Sequence, residues 1–344
     1  MVQVVVAKRR GPSPWQMMRA LVKGAGYSQP GPSSSGTSHV EAAGFEPHFS
    51  TSEVVRASDV QDADVIIATW WETAEWVLAM PAAKGTKMYL VQHHEVFPYT
   101  PRTRVEATYR TPGLTRIAVA GWLAKKLHSE YGDSFVQVVP NAVDHTVFDG
   151  PVRSKQPRPT VGFMFSNATF KGVEVALAAL ARLKATTPDL LIRAFGTEDL
   201  PSDAADSLPI VYVKLPSERE IGDVYRSIDV WLASSHSEGF NLPALEAMAC
   251  RAPVVSTRTG WPEEAIVEGV NGYLAEVGDH ATLARRLGDV LALDGAGWQA
   301  MSEAAHATAD ALDWDTSGGM FEAVLTQASA NSRRVSDVTS TVPG

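Results

Sequence analysis

The stretch 234–250 reads SSHSEGFNLPALEAMAC and predicts a loop at a strand end that leads directly into a helix. Ahead of it, the apolar run 228–233 (IDVWLA) is typical of a short, fully buried strand. Proline is best tolerated in the first turn of a helix, so Pro243 marks the expected helix start. The loop 234–241 should therefore precede a helix N-terminus, where free backbone amides and the helix dipole favour an anion such as a diphosphate.

Two glutamates frame this junction, Glu238 in the loop and Glu246 inside the helix. A loop carboxylate can accept hydrogen bonds from sugar hydroxyls, while a carboxylate about one helical turn further on faces another part of the same ligand. In the alternative interpretation, Glu238 only complements the helix dipole and Glu246 is a solvated helix residue. The two residues alone fit both interpretations.

Composition sets the broad class of the protein. A chain of 344 residues is long for one domain and sufficient for two, and its 45% hydrophobic and 20% charged content is typical of globular proteins. The opening MVQVVVAKRR has its apolar stretch before its basic pair, the reverse of a secretory signal. We therefore expect a cytoplasmic protein with at most peripheral membrane contact. The formal net charge of −9 argues against nucleic acid as a partner.

The chain has a single cysteine, Cys250. One cysteine excludes an intrachain disulfide and a metal site built from several thiolates. We expect it to be a small buried residue near the end of the helix that begins at Pro243.

Apolar runs alternate with helical patterns from about residue 64 onward, which predicts parallel strands joined by crossover helices. The fold class is α/β, with two doubly wound, Rossmann-like domains facing a central cleft. The candidate strands form two series, the first at 65–68, 88–91, 117–120 and 136–139, and the second at 161–165, 190–195, 210–213, 230–233 and 254–256.

The proline-rich, charged segment 140–160 has no helical period and predicts an interdomain linker. The expected domains are 1–145 and 146–315, followed by a closing helix over 316–330 that crosses back and a flexible tail over 331–344. The segment 24–38, GAGYSQPGPSSSGTS, lacks the glycine turn that normally opens a Rossmann unit. An abbreviated N-terminal start and a poorly ordered one both remain open.

The segment 238–279 resembles family 4 of the retaining glycosyltransferases, which have the GT-B fold. Four motifs follow one another in the family's order: Glu-x7-Glu, the strand PVVS, the Gly260-x-Pro262-Glu263 turn, and Asn271-Gly272 before a short strand. Further likeness lies upstream in 118–148 and 170–183, and downstream at Trp314. The resemblance implies that the first domain holds the acceptor and the second holds the nucleotide sugar.

The resemblance also implies roles at the sugar end of the site. Glu238 matches the family's glutamate that contacts the donor sugar, and the backbone amides of Gly239, Phe240 and Asn241 are expected to reach sugar hydroxyls. In the first domain, His94 resembles the family's histidine that contacts donor sugar or acceptor. Glu238 and His94 are therefore candidate catalytic residues.

At the nucleotide end, the amide of Leu242 is expected to face the phosphates and Glu246 to accept from the ribose hydroxyls. Lys171 matches the catalytic lysine that pairs with the diphosphate, and its charge would stabilise the leaving group as the anomeric bond breaks. Many family members carry an arginine about five residues earlier, where this chain has Ser166 and Asn167. These can bind the donor through hydrogen bonds but carry no charge. Either leaving-group stabilisation is weaker or an arginine comes from elsewhere.

Two further segments offer acceptor contacts. Glu95 follows the pair His93 and His94, and these adjacent side chains point in opposite directions, so no metal site is expected from them. Trp71 and Glu72 follow another strand and either contact the acceptor or pack in the core. Together the two segments look like a subgroup that contains bacterial rhamnosyltransferases.

The sequence thus predicts a retaining transferase that needs neither metal nor cofactor. It would move a hexose from a nucleoside-diphosphate sugar to a hydroxyl of a carbohydrate or glycoconjugate acceptor, in a bacterial polysaccharide or natural-product glycan. Two alternatives remain open, a sugar-nucleotide epimerase or hydrolase of GT-B fold and a noncatalytic nucleotide-sugar-binding subunit. No pattern identifies the base, the sugar, the linkage or the oligomeric state.

Overall fold

The computed structural model describes residues 2–8, 44–202 and 207–340. The segment 24–38, for which the sequence leaves an abbreviated or a disordered start open, lies outside these residues. The chain divides into two compact units. Unit 1 comprises the described parts of 1–89, 111–114 and 328–344, and unit 2 comprises those of 90–110 and 115–327. Unit 2 thus includes residues on both sides of the boundary predicted after residue 145.

Unit 1 contains two small sets of parallel strands. Strand β1 (Val5–Val6) pairs with β2 (His48–Phe49). Strand β3 (Val65–Ala68) pairs with the first four residues of β4 (Thr86–Val91). Helix α1 (Trp71–Ala79) follows β3 and buries Trp71, Ala74 and Val77, whose spacing of three residues places them on one face.

Unit 2 begins with the end of β4 and continues through α2 (Arg102–Arg110), β5 (Thr115–Ala118), α3 (Gly121–Tyr131) and β6 (Gln137–Val138). Strand β5 pairs in parallel with β6, and the Val119 amide donates to the Val91 carbonyl. Helix α3 ends at Gly132, whose left-handed φ of 75° gives the backbone turn that closes many helices.

A six-stranded parallel sheet forms the centre of unit 2. Its strands are β7 (Thr160–Phe165), β8 (Leu191–Gly196), β9 (Ile210–Lys214), β10 (Val230–Ala233), β11 (Val254–Thr257) and β12 (Gly272–Ala275). Their order in the sheet is β12-β11-β10-β7-β8-β9. The direction in which successive strands are added to the sheet therefore reverses between β7 and β10. Ligands of doubly wound sheets bind at the carboxyl ends of the strands at such a reversal.

Further helices of the described ranges precede or follow these strands along the chain. They are α4 (Val173–Thr186), α5 (Glu218–Arg226), α6 (Leu242–Ala249), α7 (Pro262–Ala265), α8 (His280–Ala292), α9 (Gly295–Asp310) and α10 (Trp314–Ser340). One apolar core joins β7, β8 and β10 to α4 and α8, with Phe163, Leu180 and Leu287 at its centre. The pattern of parallel strands and crossover helices confirms the α/β class.

Helix α10 runs to Ser340, so it spans the segment 316–330 predicted as a closing helix and continues through 331–340, which lies in the predicted tail. Cys250 is fully buried, as expected, and burial raises the pKa of its thiol to about 12. No helix among the described residues is long and apolar enough to cross a bilayer.

Candidate active site

The sheet reversal brings two loops together, the turn 166–172 after β7 and the loop 234–241 after β10. The Ser234 hydroxyl donates to the Lys171 carbonyl over 3.2 Å, and the His236 amide donates to the Phe170 carbonyl over 2.7 Å. Gly172 has a φ of 58°, and a Cβ atom there would overlap the Ser234 carbonyl oxygen. Only glycine allows the two backbones to approach this closely, so the turn places Lys171 against the 234–241 loop.

The two charged residues predicted for the reacting centre form an ion pair. Lys171 Nζ donates to Glu238 Oε1 over 2.7 Å, and the Ser235 hydroxyl donates to the same oxygen over 2.7 Å. The side chains of Lys171 and Glu238 are 20% and 8% exposed. A cation held this close to its partner is pre-oriented, so it can stabilise developing negative charge without a large reorganisation.

Asn241 lies directly before helix α6 and lines a small cleft together with Lys171 and Glu238. Its φ of 87° is left-handed, and its side-chain oxygen accepts from the Ala244 amide over 3.3 Å. Its Nδ2 atom is buried and has no acceptor within the described part of the chain. Pro243 has no N–H, and the Ala244 amide already donates to Asn241. The amino end of α6 thus offers two donors, the Leu242 amide and the Asn241 side chain.

Glu246 is half-buried on α6, so the interpretation of a freely solvated residue does not hold. Its Oε2 atom accepts from the Tyr225 hydroxyl over 2.9 Å. Burial raises the pKa of Glu246 to about 7, and burial also raises the pKa of Tyr225 well above its usual range. Tyr225 therefore stays protonated and acts as the donor, which orients the carboxyl group.

The two histidines after β4 face different surroundings. His93 Nε2 lies 3.4 Å from the Ser237 hydroxyl, and its ring lies 6.4 Å from that of Phe170. His94 Nε2 instead lies 2.7 Å from the Tyr131 hydroxyl. Burial lowers the pKa of both imidazoles, that of His94 to about 4. The structure thus brings His93 to the 234–241 loop, whereas His94, the predicted catalytic histidine, lies against α3.

The predicted acceptor residues are mostly buried. Glu95 is 1% exposed, and its amide donates to the Tyr109 hydroxyl over 2.9 Å. Trp71 is 4% exposed within unit 1, and Glu72 is its neighbour in the first turn of α1. Burial favours the core alternative for Trp71 and leaves little surface of Glu95 for contact with an acceptor.

The residues in place of the family's arginine lie directly after β7. Ser166 Oγ accepts from the Ala168 amide over 3.2 Å, and Asn167 is exposed. Among the cleft-lining residues within 2–8, 44–202 and 207–340, Lys171 is the one cationic side chain. In the same ranges, no group of three or more His, Cys, Asp or Glu residues has the arrangement of a metal site.

Three side chains of the site, those of Tyr225, Ser235 and Asn241, carry no prediction from the sequence. Ser235 and Asn241 lie within the loop that the motif identified, so their polar side chains were a readable signal. Tyr225 lies on α5, 21 residues from Glu246, and only the packing of α5 against α6 brings it there.

Residues 149–307 match the family model described as Glycosyl transferases group 1. Among curated proteins, the chain is 32% identical over 199 residues to the D-inositol 3-phosphate glycosyltransferase of Arthrobacter sp. strain FB24, covering 51% of this chain and 47% of the relative. A similar match, 32% over 206 residues, is to the D-inositol 3-phosphate glycosyltransferase of Pseudarthrobacter chlorophenolicus, covering 53% of this chain and 48% of the relative. The chain spans about half the length of the curated relatives it matches.

Solved structures resemble the chain over more of its length. The HepE protein of Anabaena, crystallised with UDP, superposes with a TM-score of 0.69 at 16% identity, covering 84% of this chain and 88% of HepE. The sucrose-phosphate synthase of Thermosynechococcus elongatus superposes with a TM-score of 0.65 at 18% identity, covering 78% and 74%. The predicted GT-B fold is thereby confirmed.

Proposed function

We propose that the chain is a retaining glycosyltransferase that moves a hexose from a nucleoside-diphosphate sugar to a hydroxyl of a carbohydrate or glycoconjugate acceptor, without a metal ion. The observation that carries this proposal is the ion pair of Lys171 and Glu238 at the amino end of α6, with the Glu246 carboxyl on the same helix. Relatives named as glycosyltransferases and a structural neighbour crystallised with UDP support it.

In this proposal the donor lies along the amino end of α6. The diphosphate would accept from the Leu242 amide and from Asn241 Nδ2, while Lys171 would balance its charge. Glu246 would accept from a ribose hydroxyl with its second oxygen, because Tyr225 already binds the first. Glu238 would accept from a hydroxyl of the donor sugar.

The chemical step needs stabilisation of the leaving diphosphate more than an enzymic nucleophile. Lys171 would exchange one of its hydrogen bonds from Glu238 to the diphosphate as the anomeric bond lengthens. The departing phosphate would take the proton of the acceptor hydroxyl, so that hydroxyl attacks from the same face and the anomeric configuration is retained. A neutral His93 beside the 234–241 loop would add a hydrogen-bonding group without adding charge.

Nucleotide binding tests the site directly. Thermal shift and calorimetry with UDP, GDP, ADP and dTDP should identify one preferred nucleotide, because a ligand that binds only the folded state raises its stability. Glu246→Ala should weaken that binding about tenfold or more, whereas Glu303→Ala, an exposed glutamate on α9, should leave it unchanged. Equal affinities of the wild type and Glu246→Ala would overturn the assignment.

Product analysis separates the proposed transferase from its alternatives. With donor and acceptor present, NMR of the new glycoside should show the donor's anomeric configuration. Donor consumed without acceptor would instead indicate an epimerase or hydrolase, and donor bound but left intact would indicate a binding subunit. A dTDP-linked 6-deoxyhexose in the donor panel tests the rhamnosyltransferase-like subgroup.

A further inference from the structure

The loop that carries Glu238 is held by hydrogen bonds from two sides. The Trp122 indole Nε1 donates to the Gly239 carbonyl over 2.8 Å. On the other side, the Trp261 amide donates to the Phe240 carbonyl over 2.7 Å, and the two rings stack with centroids 5.4 Å apart. The carbonyl groups of Gly239 and Phe240, the two residues directly after Glu238, are thus both held by hydrogen bonds.

Gly239 leaves no room for the loop to shift toward β4. A Cβ atom at Gly239 would overlap the Gln92 carbonyl oxygen and lie 3.1 Å from His93 Cα. Gly260, with a φ of 66°, also packs closely against the loop, because a Cβ atom there would lie 2.6 Å from the Phe240 carbonyl oxygen and 2.8 Å from Glu238 Cβ. The position of Glu238 therefore depends on contacts from two other parts of unit 2, residues 92–93 and 122 on the one hand and residues 260–261 on the other.

Glu264 in turn fixes Trp122. The Glu264 carboxylate accepts from the backbone amides of Gly121 and Trp122 over 3.0 and 2.9 Å. The residue at the N-cap of α3 is Ala120, which has no side-chain acceptor. A carboxylate from α7 therefore caps α3, at the helix end where the dipole favours negative charge.

We propose that Trp122 is a positioning residue for Glu238 and that Glu264 is a latch that orients Trp122. Together they hold the loop of Glu238 at the sugar end of the donor site. At the nucleotide end, Tyr225 on α5 orients the Glu246 carboxyl. The two ends are supported by different elements, so they should respond to different substitutions. The catalytic part of this inference rests on the proposed function, whereas the positioning contacts can be tested without any substrate.

Hydrogen exchange measured by mass spectrometry tests the latch. In Glu264→Gln the amides of peptides covering 119–125 should exchange about two- to fivefold faster, because the charge at the helix N-terminus is lost. Gly121→Ala keeps every charge but places a methyl group 2.7 Å from Glu264 Oε2, so it should speed exchange in the same peptides. Glu263→Gln, the same change one residue earlier, is the matched control and should have no effect. Unchanged exchange in both latch variants would overturn the proposal.

Trp122→Phe tests the positioning role, since it keeps an aromatic ring but removes the indole donor. Exchange in peptides covering 237–241 should rise while the 245–249 part of α6 stays protected. The preferred nucleotide should bind Trp122→Phe with wild-type affinity, and kcat should fall about tenfold through loss of one hydrogen bond that orients the loop. Trp314→Phe, at an exposed tryptophan on α10, is the control.

The outcomes separate the two proposals. If Trp122→Phe weakens nucleotide binding as much as Glu246→Ala does, Trp122 supports the whole site and the positioning role is refuted. If the wild type binds none of the nucleotides, the proposed function fails, and the exchange results then decide on the latch alone. If Trp122→Phe does not fold, Glu264→Gln carries both the exchange and the kinetic measurement.

Discussion

The Glu246 carboxyl should make the free energy of unfolding depend on pH. Burial raises its pKa from a usual value of 4.5 to about 7. Glu246→Gln keeps the shape of the side chain and an oxygen that can accept from Tyr225, but it removes the ionisation. The substitution should therefore stabilise the folded protein at alkaline pH and have little effect at acidic pH.

The direction of this pH dependence follows from the number of protons that the folded and unfolded states bind. Between pH 4.5 and about 7 the folded state holds a proton on Glu246 that the unfolded state has released, so wild-type stability falls as pH rises through this window. Each pH unit corresponds to about 1.4 kcal/mol, so pKa values of 4.5 and about 7 bound the total contribution at about 3.5 kcal/mol. Relative to the wild type, Glu246→Gln should gain up to this amount between pH 4.5 and pH 8.

Urea unfolding at pH 5 and pH 8 measures the difference. The wild type, Glu246→Gln and the exposed control Glu303→Gln should be compared by their midpoints, because groups common to all three cancel. A difference between Glu246→Gln and the wild type that is equal at both pH values would refute the reasoning. The proposed function adds a cross-check, since at pH 8 the same variant should be more stable yet bind nucleotide more weakly.

Two further substitutions test other parts of the site. Lys171→Ala should lower kcat about 100-fold or more, because it removes the charge proposed to stabilise the leaving group, and Lys184→Ala, at a half-buried lysine on α4 whose Nζ donates to the Pro188 carbonyl, is the control for kinetic assays. Gly172→Ala should destabilise the protein by more than the roughly 1 kcal/mol expected from left-handed backbone alone, because its Cβ atom would overlap the Ser234 carbonyl. Gly278→Ala, at a φ of 84° with open space around it, measures that backbone cost by itself, and equal losses of thermal stability in the two variants would contradict the overlap argument.

The local pattern of the sequence predicts the strands and the start of α6 well. Each predicted strand overlaps an observed one, because buried parallel strands are short apolar runs bounded by polar loops. The Glu-x7-Glu spacing likewise places Glu238 and Glu246 on the loop and helix observed. These features depend on residues close together in the chain.

Features that depend on the order of strands could not be predicted from residue patterns. The ion pair of Lys171 and Glu238 joins positions 67 residues apart, and it exists because β7 and β10 are neighbours in the sheet. Alternation predicts that His93 and His94 diverge, but not that His93 faces the 234–241 loop. The capping of α3 by Glu264 spans 143 residues and leaves no local signal except an alanine where a capping residue is usual.

The strand order also has a practical consequence. Lys171 and Glu238 follow the two central strands β7 and β10, whereas β9 and β12 form the edges of the sheet. Turns that follow these edge strands should accept a spectroscopic label or an inserted tag without disturbing the ion pair, because surface connections tolerate insertion better than the elements they join. The edges of the sheet are therefore suitable attachment points for protein engineering.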